Sequence, residues 1–293
     1  MTEFNTLRDM LALFRSESPE LIVANGDDAA VLALADRHVV LSVDAQVEGV
    51  HFRPEWLSMR QLGYRATMAA FSDLAAMGAK PVALLSSVQF DAGSGRDELL
   101  ELAHGQQQAC MELGAIVIGG NLSRAATFAV HSTVVGTVNG RTLARAGAKA
   151  GDKIGVAGSL GMAARGLEAL MLQREDPKGI AAWMQPTAQI SAGLAAASLG
   201  ASAAIDISDG LAQDLGHMAD ASRVSIRLDE TALAPFVRAA GSLERVLQGG
   251  EDYALVVAAS VLPEGFVHIG DVGEGKGVML GEKPLPPRGW QHL

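Results

Sequence analysis

The sequence predicts an α/β fold, and three observations carry that reading. Strand-length apolar runs at residues 29–34, 38–43, 82–90 and 254–258 are interspersed with longer segments of helical period, such as 59–77. Glycine makes up 33 of 293 residues, about 11% against a usual 7%, which implies many tight turns and close backbone approaches. Apolar runs end in carboxylates at Ser42-Val43-Asp44 and at Ile205-Asp206-Ile207-Ser208-Asp209-Gly210. The carboxyl ends of strands are where α/β folds place their sites. The length suits one large α/β domain or two of ordinary size.

Composition narrows the function classes. Hydrophobic residues are 49% and aromatics 4%, so Ala, Val, Leu and Ile must fill the core. A net charge of -10 and a pI near 5.2 argue against binding nucleic acid non-specifically or binding an anionic membrane. An acidic protein that handles phosphates needs metal ions between itself and its ligand. Cys110 is the only cysteine, which excludes an intrachain disulfide and a cysteine-based metal site and fits a reducing cytosol. The start Met1-Thr2-Glu3-Phe4-Asn5-Thr6 lacks the basic and apolar regions of a signal peptide. No apolar run approaches the ~18 residues of a membrane span. A soluble, cytoplasmic protein is expected.

In chain order, residues 4–14 have helical spacing, and 29–34 and 38–43 read as strands separated by Ala35-Asp36-Arg37. Asp44 then falls at the carboxyl end of a strand. Ser58-Met59-Arg60-Gln61 is a capping box with Leu57 and Leu62 placed as a staple, opening a helix that runs to Met77 and stops at Gly78. Leu62, Ala66, Ala69, Ala70, Asp73 and Met77 share one face of it. Asp73 is thus a carboxylate on an apolar face, and an unpaired buried charge is costly, so it needs a metal or a hydrogen-bonding partner. Residues 82–90 form a strand, 99–113 a helix ending at Gly114, and 115–118 a short buried strand leading to Gly119-Gly120-Asn121. Residues 127–138 form a long strand with Asn139-Gly140 as a hairpin turn. The small-residue segment 145–152 is the best domain boundary.

Beyond it, 153–157 is a strand, and Gly158-Ser159-Leu160-Gly161, a weak phosphate-loop candidate, leads into a helix to about Leu172. Residues 187–199 form a helix, 203–210 a strand ending in carboxylates, 211–219 a helix and 225–228 a strand. Gly249-Gly250-Glu251-Asp252-Tyr253 precedes the strand at 254–258, and 266–271 with 278–280 form a final strand pair.

Asp27, Asp28, Asp44, Asp73, Asp206 and Asp209 are the carboxylates that can converge. Two carboxylates ~4 Å apart repel by roughly 4 kcal/mol at an effective dielectric of 20, so such a cluster persists only around cations. All-oxygen ligands point to Mg²⁺, Mn²⁺ or Ca²⁺, and scattered single aspartates fit Mg²⁺ shared with substrate phosphates. Taken singly, each residue has a plainer reading. Asp27 and Asp28 suit a turn, Asp209 a helix cap, His51 an ordinary strand position, and Glu251-Asp252 a loop.

Together these motifs resemble one family. Gly26-Asp27-Asp28-Ala29-Ala30-Val31, Ser42-Val43-Asp44 with Glu48-Gly49-Val50-His51-Phe52, Ser72-Asp73-Leu74-Ala75-Ala76-Met77-Gly78, Asp206-Ile207-Ser208-Asp209-Gly210-Leu211 and Gly249-Gly250-Glu251-Asp252-Tyr253 look like the motif series of thiamine-monophosphate kinases. These belong with aminoimidazole ribonucleotide synthetase in one superfamily of ATP-dependent enzymes. The resemblance runs in order from residue 26 to Gly289-Trp290. It implies two mixed-sheet α/β domains, 1–145 for ATP, metal and dimerisation and 146–293 completing the active site, with the first sheet pairing across a homodimer. It also implies transfer of the ATP γ-phosphoryl group to thiamine monophosphate, giving thiamine diphosphate. On that resemblance Asp28, Ser42, Val43, Asp44, Asp73, Asn121, Asp206 and Asp209 would hold several Mg²⁺ ions. Gly120, Asn121, Arg145 and Ser208 would meet ATP, and His51, Glu251 and Trp290 the thiamine phosphate. Asp44, Asp73 and Arg145 would be the catalytic set.

One departure stands out. The family commonly has Gly-Gly-Asp where this chain has Gly119-Gly120-Asn121, one negative charge fewer at a metal site. A nucleotide-binding homodimer with impaired catalysis is therefore one alternative reading. A related ATP-dependent enzyme acting on another small substrate is a second, although selenophosphate synthetase and the hydrogenase-maturation dehydratase rely on a terminal reactive cysteine that this chain lacks.

Overall fold

The computed structural model describes residues 21–23, 27–34, 37–91 and 93–290. The helix expected at 4–14, Gly26 and the turn residues Ala35 and Asp36 lie outside them. Two mixed sheets with helices packed on them make an α/β molecule. The first half supplies β1 (Leu21–Val23), β2 (Ala30–Leu34), β3 (Arg37–Val47), α1 (Met59–Ala76), β4 (Lys80–Phe90), α2 (Arg96–Leu113), β5 (Ile116–Arg124) and β6 (Ala129–Val138). Its sheet runs β1-β2-β3-β6-β4-β5, with only β4 and β5 parallel, joined by α2.

The second half supplies β7 (Lys153–Ala157), α3 (Met162–Met171), α4 (Pro177–Met184), α5 (Ile190–Ser198), β8 (Ala203–Ile207), α6 (Leu211–Ser222), β9 (Ser225–Leu228), α7 (Glu230–Ala240), α8 (Leu243–Gln248), β10 (Ala254–Ala259), β11 (Val267–Gly273), β12 (Gly277–Leu280) and β13 (Lys283–Leu285). Its sheet runs β13-β12-β9-β11-β7-β10-β8. Among the described residues no helix is long and apolar enough to cross a membrane.

Helix α1 organises the molecule. The Ser58 hydroxyl accepts from the Gln61 N–H and the Gln61 side chain accepts from the Ser58 N–H, the expected capping box. The helix packs on β3, β6 and α2 of its own half and on α5, β8 and β10 of the other. Gly193 lets α5 approach closely, because a Cβ there would lie 2.1 Å from the Ala75 carbonyl oxygen. Residues of α1 therefore reach both halves. This is what brings the Asp73 and Asp206 motifs together.

Several expectations need correction. The segment expected to be a short buried strand is β5, a nine-residue edge strand with Ile116, Ile118 and Leu122 more than half exposed. Asp44 lies within β3, three residues before its end. Asn139-Gly140 forms no hairpin. The Leu143 N–H donates to the Met77 carbonyl and its side chain is buried, which draws the chain across the end of α1. The final strands do not pair with each other, because β9 lies between β11 and β12 and is parallel to β12.

Candidate active site

The acidic residues of the first sheet owe their direction to strand alternation. Ser42, Asp44 and Gln46 point to the face covered by α1, opposite to Val43, which is 64% exposed. Asp73 faces this row from α1, and Asp206 enters from β8. Single carboxylate oxygens of Asp28, Asp73 and Asp206 lie within 4.8 Å of one another. The Ser42 hydroxyl donates to Asp73 at 2.5 Å and the Ser72 hydroxyl to Asp206 at 2.6 Å. Arg145 donates through Nε to Asp28 Oδ1 at 2.9 Å and through a terminal nitrogen to the same oxygen, leaving the buried Oδ2 without a partner among the described residues.

Burial sets the electrostatics. Desolvation raises Asp28 to about 7, against the opposing pull of Arg145. It raises Asp44 to about 6, against hydrogen bonds from the Ala45 N–H and Gln46. Asp73 is pushed well above the carboxylate range by desolvation and then by Asp206 and Asp28, and Asp206 is raised by its own burial. One guanidinium does not balance three clustered carboxylates, of which Asp28 and Asp206 are buried and Asp73 half-buried. The donor set, all oxygen and gathered from both halves, fits a hard divalent cation such as Mg²⁺. The unpartnered Oδ2 of Asp28 points the same way.

A cavity of about 620 Å³ opens beside the cluster, walled by Val43, Asp44, His51, Asp73, Asp206, Ser208, Asp209, Glu251 and Trp290 among others. His51 sits in a tight loop after β3 and accepts the Val47 N–H on Nδ1 at 3.1 Å, which places its own proton on Nε2. Asp209 accepts from Gln213 Nε2 at 3.0 Å on Oδ2, and that same nitrogen donates to the Trp290 carbonyl at 3.1 Å. Asp209 does not cap α6; the Asp209 and Gly210 amides donate to buried Asp214. At the end of the Gly158–Gly161 segment the Gly161 N–H donates to Asp252, which also accepts from the Ala163 N–H.

Gly120 and Asn121 stand apart. The register runs Asp44–Ser132–Ser86–Gly120 across four strands, with Ala45–His131–Ser87–Asn121 as the neighbouring row. Asn121 thus points to the sheet face opposite to Asp44 and does not join the three carboxylates within one chain. Gly120 is in the Asp44 row but on the outer strand, where a Cβ would lie 1.7 Å from the Ser86 carbonyl oxygen.

Residues 26–141 match the family model for the N-terminal domain of AIR synthase related proteins, and 149–270 match that for the C-terminal domain. The thiamine-monophosphate kinase of Mycobacterium tuberculosis is 34% identical over 299 aligned positions, covering 97% of this chain and 90% of that protein. That of Escherichia coli K12 is 35% identical over 290, covering 91% and 85%. The chain belongs to the thiamine-monophosphate kinase family. A solved structure of a family member, AaThiL complexed with AMPPCP and TMP, superposes with a TM-score of 0.89 at 29% identity over 100% of this chain and 97% of that one. The thiamine monophosphate kinase structure from Aquifex aeolicus gives 0.82 at 27%, covering 97% of each chain. Hydrogenase maturation protein HypE shares the fold alone, with a TM-score of 0.70 at 18% identity.

Three parts of this kinase-family site were missed in the sequence. Ser72 stands beside Asp73 in the motif and holds Asp206. Arg65 is fully buried on α1 and donates to Glu251. It falls three residues after Leu62 and four before Ala69, so the face that singled out Asp73 also pointed to Arg65. Trp183, which donates to Glu251 at 2.7 Å, lies on the eight-residue α4 that the apolar periodicity did not reveal.

Proposed function

We propose that this protein is a Mg²⁺-dependent kinase that transfers the γ-phosphoryl group of ATP to thiamine monophosphate, giving thiamine diphosphate. One observation carries the reading: Asp28, Asp73 and Asp206, from three motifs in both halves, converge within 4.8 Å beside a cavity large enough for a nucleotide and a small acceptor. Family membership supplies the reaction class.

The acceptor is itself a phosphate, anionic at neutral pH, so no general base is needed to make it a nucleophile. The task left to the protein is bringing two anions together in line. Asp28, Asp44, Asp73, Asp206 and Asp209, with the Ser42 hydroxyl and the Val43 backbone, form the metal-holding wall. A divalent cation held by these residues would supply the positive charge that offsets the phosphates' repulsion. Arg145 and Ser208 meet the nucleotide phosphates, with Arg145 adding a planar donor pair suited to them. His51, Glu251 and Trp290 receive the thiamine end, Trp290 as a ring beneath a cationic heterocycle. Gly120, in the Asp44 row, bounds the nucleotide side from β5, whereas Asn121, on the opposite sheet face, does not reach that side within one chain.

We assign 1–145 to nucleotide and metal binding and dimerisation, 146–293 to completing the site, and the whole to the cytoplasm. The open face and edge of the first sheet expose Val43, Val82, Leu85, Ile116 and Ile118, an apolar surface suited to a second copy of the same sheet. One preparation tests both proposals. Thiamine diphosphate forms from ATP and thiamine monophosphate only with a divalent cation, and light scattering returns the mass of two chains. Undiminished turnover in excess chelator overturns the metal assignment, and a single-chain mass overturns the dimer.

A further inference from the structure

The most heavily built feature outside the carboxylate cluster surrounds Arg65. Its side chain is fully buried on α1, with one terminal nitrogen donating to Glu251 Oε1 and the other to the Trp183 carbonyl. The guanidinium carbon lies 4.3 Å from the Trp183 ring centroid, and Trp183 Nε1 donates to Glu251 Oε2 at 2.7 Å. Both oxygens of one carboxylate are therefore held, from α1 in the first half and α4 in the second. Glu251 has left-handed backbone with φ +65, and its N–H donates to the Ser208 carbonyl at 2.7 Å. Such a conformation persists in a non-glycine residue only when its surroundings over-determine it. Glu251 lines the cavity, whereas Arg65 and Trp183 stand behind it.

Stability is a weak reason to build this. Desolvating an arginine and a glutamate costs about as much as their attraction gives back, so buried ion pairs seldom stabilise a fold over well-packed apolar residues. Orientation is the stronger reason. A carboxylate fixed through both oxygens still has lone pairs to offer, and their directions are set before any ligand arrives. Trp56 extends the wall, packed edge-on to Trp183 at 5.8 Å between centroids and lining the same cavity.

We propose that Arg65 and Trp183 are positioning residues for the acceptor: they hold Glu251 in the orientation that accepts a hydrogen bond from an amino-substituted aromatic heterocycle, and touch neither acceptor nor nucleotide. The proposal rests on the reading above, in which Glu251 meets the thiamine end of the acceptor. Loosening the clamp weakens ground-state and transition-state binding of the acceptor alike, which raises its KM and leaves kcat and the ATP KM in place.

The first test is Trp183→Phe, which removes the indole donor and keeps an aromatic ring beside Arg65. The acceptor KM rises about tenfold, as expected for one lost hydrogen bond to a charged group, with the ATP KM and kcat within about twofold of the parent. Arg65→Lys keeps the charge but not the planar fork and moves the same parameter in the same direction. Because one unpaired buried charge can unfold the chain, a second variant combines Arg65→Met with Glu251→Gln. It folds with a thermal midpoint near the parent's, and its acceptor KM equals that of Glu251→Gln alone, since Arg65 acts only through Glu251. An active Trp183→Phe enzyme with unchanged acceptor KM, or with its main loss in kcat or ATP KM, overturns the clamp alone. A parent enzyme that makes no thiamine diphosphate overturns the reading of the site, and the clamp with it.

Discussion

At one end of the cavity Asp28, Asp73 and Asp206 gather three carboxylates around two serine hydroxyls and one arginine. At the other, Glu251 is met one-to-one by Arg65, with Trp183 holding its second oxygen. Both ends take charge out of water, but only the second balances it from within the protein. The surplus at the first end is a demand for cations that arrive from outside, and desolvation makes that demand stronger. The second end has its charge paired before substrate binds. On the function proposed above, unbalanced charge marks the place where phosphates and metal enter, and balanced charge the place where an organic group is recognised.

The sharpest way to break this contrast is Asp73→Asn. Asp73 is coupled electrostatically to Asp206, Asp28 and Asp44, so its charge belongs to the whole cluster. Turnover at saturating Mg²⁺ falls by on the order of 10³-fold or more, the scale of a lost electrostatic partner of the reacting group. Glu251→Gln acts instead on the acceptor KM. Steady-state formation of thiamine diphosphate separates the two. An Asp73→Asn enzyme keeping a tenth of the parent's activity would place the metal elsewhere.

A smaller effect sharpens the contrast through pH. The folded-state values of Asp28, about 7, and Asp44, about 6, lie above the ordinary 3.8, so across that window the metal-free fold holds more protons than the unfolded chain. Stability then falls as pH rises from about 4 through 7. Calorimetry on chelator-treated protein shows a lower thermal midpoint at pH 8 than at pH 5.5, by several degrees for about 1–2 kcal/mol in a chain of this size. Mg²⁺ raises the midpoint more at pH 8 than at pH 5.5. A midpoint that rises with pH in chelator would mean that the cluster is already neutralised within the chain.

How much of this was legible depended on whether the signal was local. The start of α1 was, because Ser58 and Gln61 satisfy each other's backbone within one turn. Asp73 was, because helical period alone sets its face. The convergence of Asp28 with Asp73 and Asp206 rests on α1 packing directly against β8 of the other half, a contact that spacing along the chain does not encode. Sheet order was equally hidden, since β9 separates two strands that are neighbours in sequence. Helices α4, α7 and α8 went unread because they are short or, in α7, interrupted by Pro235. Arg65 was legible and overlooked; Trp183 was not, as nothing local ties a tryptophan near residue 183 to a glutamate at 251.

The smallest effect concerns Trp290, which joins the two ends. Its N–H donates to the Asp209 carbonyl at 3.1 Å and its own carbonyl accepts from Gln213, so its backbone is stitched to the metal side. The residue lines the cavity, at the proposed acceptor end, and is 54% exposed. Trp290→Ala removes the ring and leaves the stitching, so the two contributions come apart in one variant. A cation over a partly exposed ring is worth about 0.5–1 kcal/mol, so the acceptor KM rises only about twofold to fivefold while kcat holds. Trp290→Phe recovers much of that loss. If kcat instead falls with an unchanged acceptor KM, the ring serves to order Asp209, and the division between a metal end and an acceptor end does not extend to the C-terminal segment.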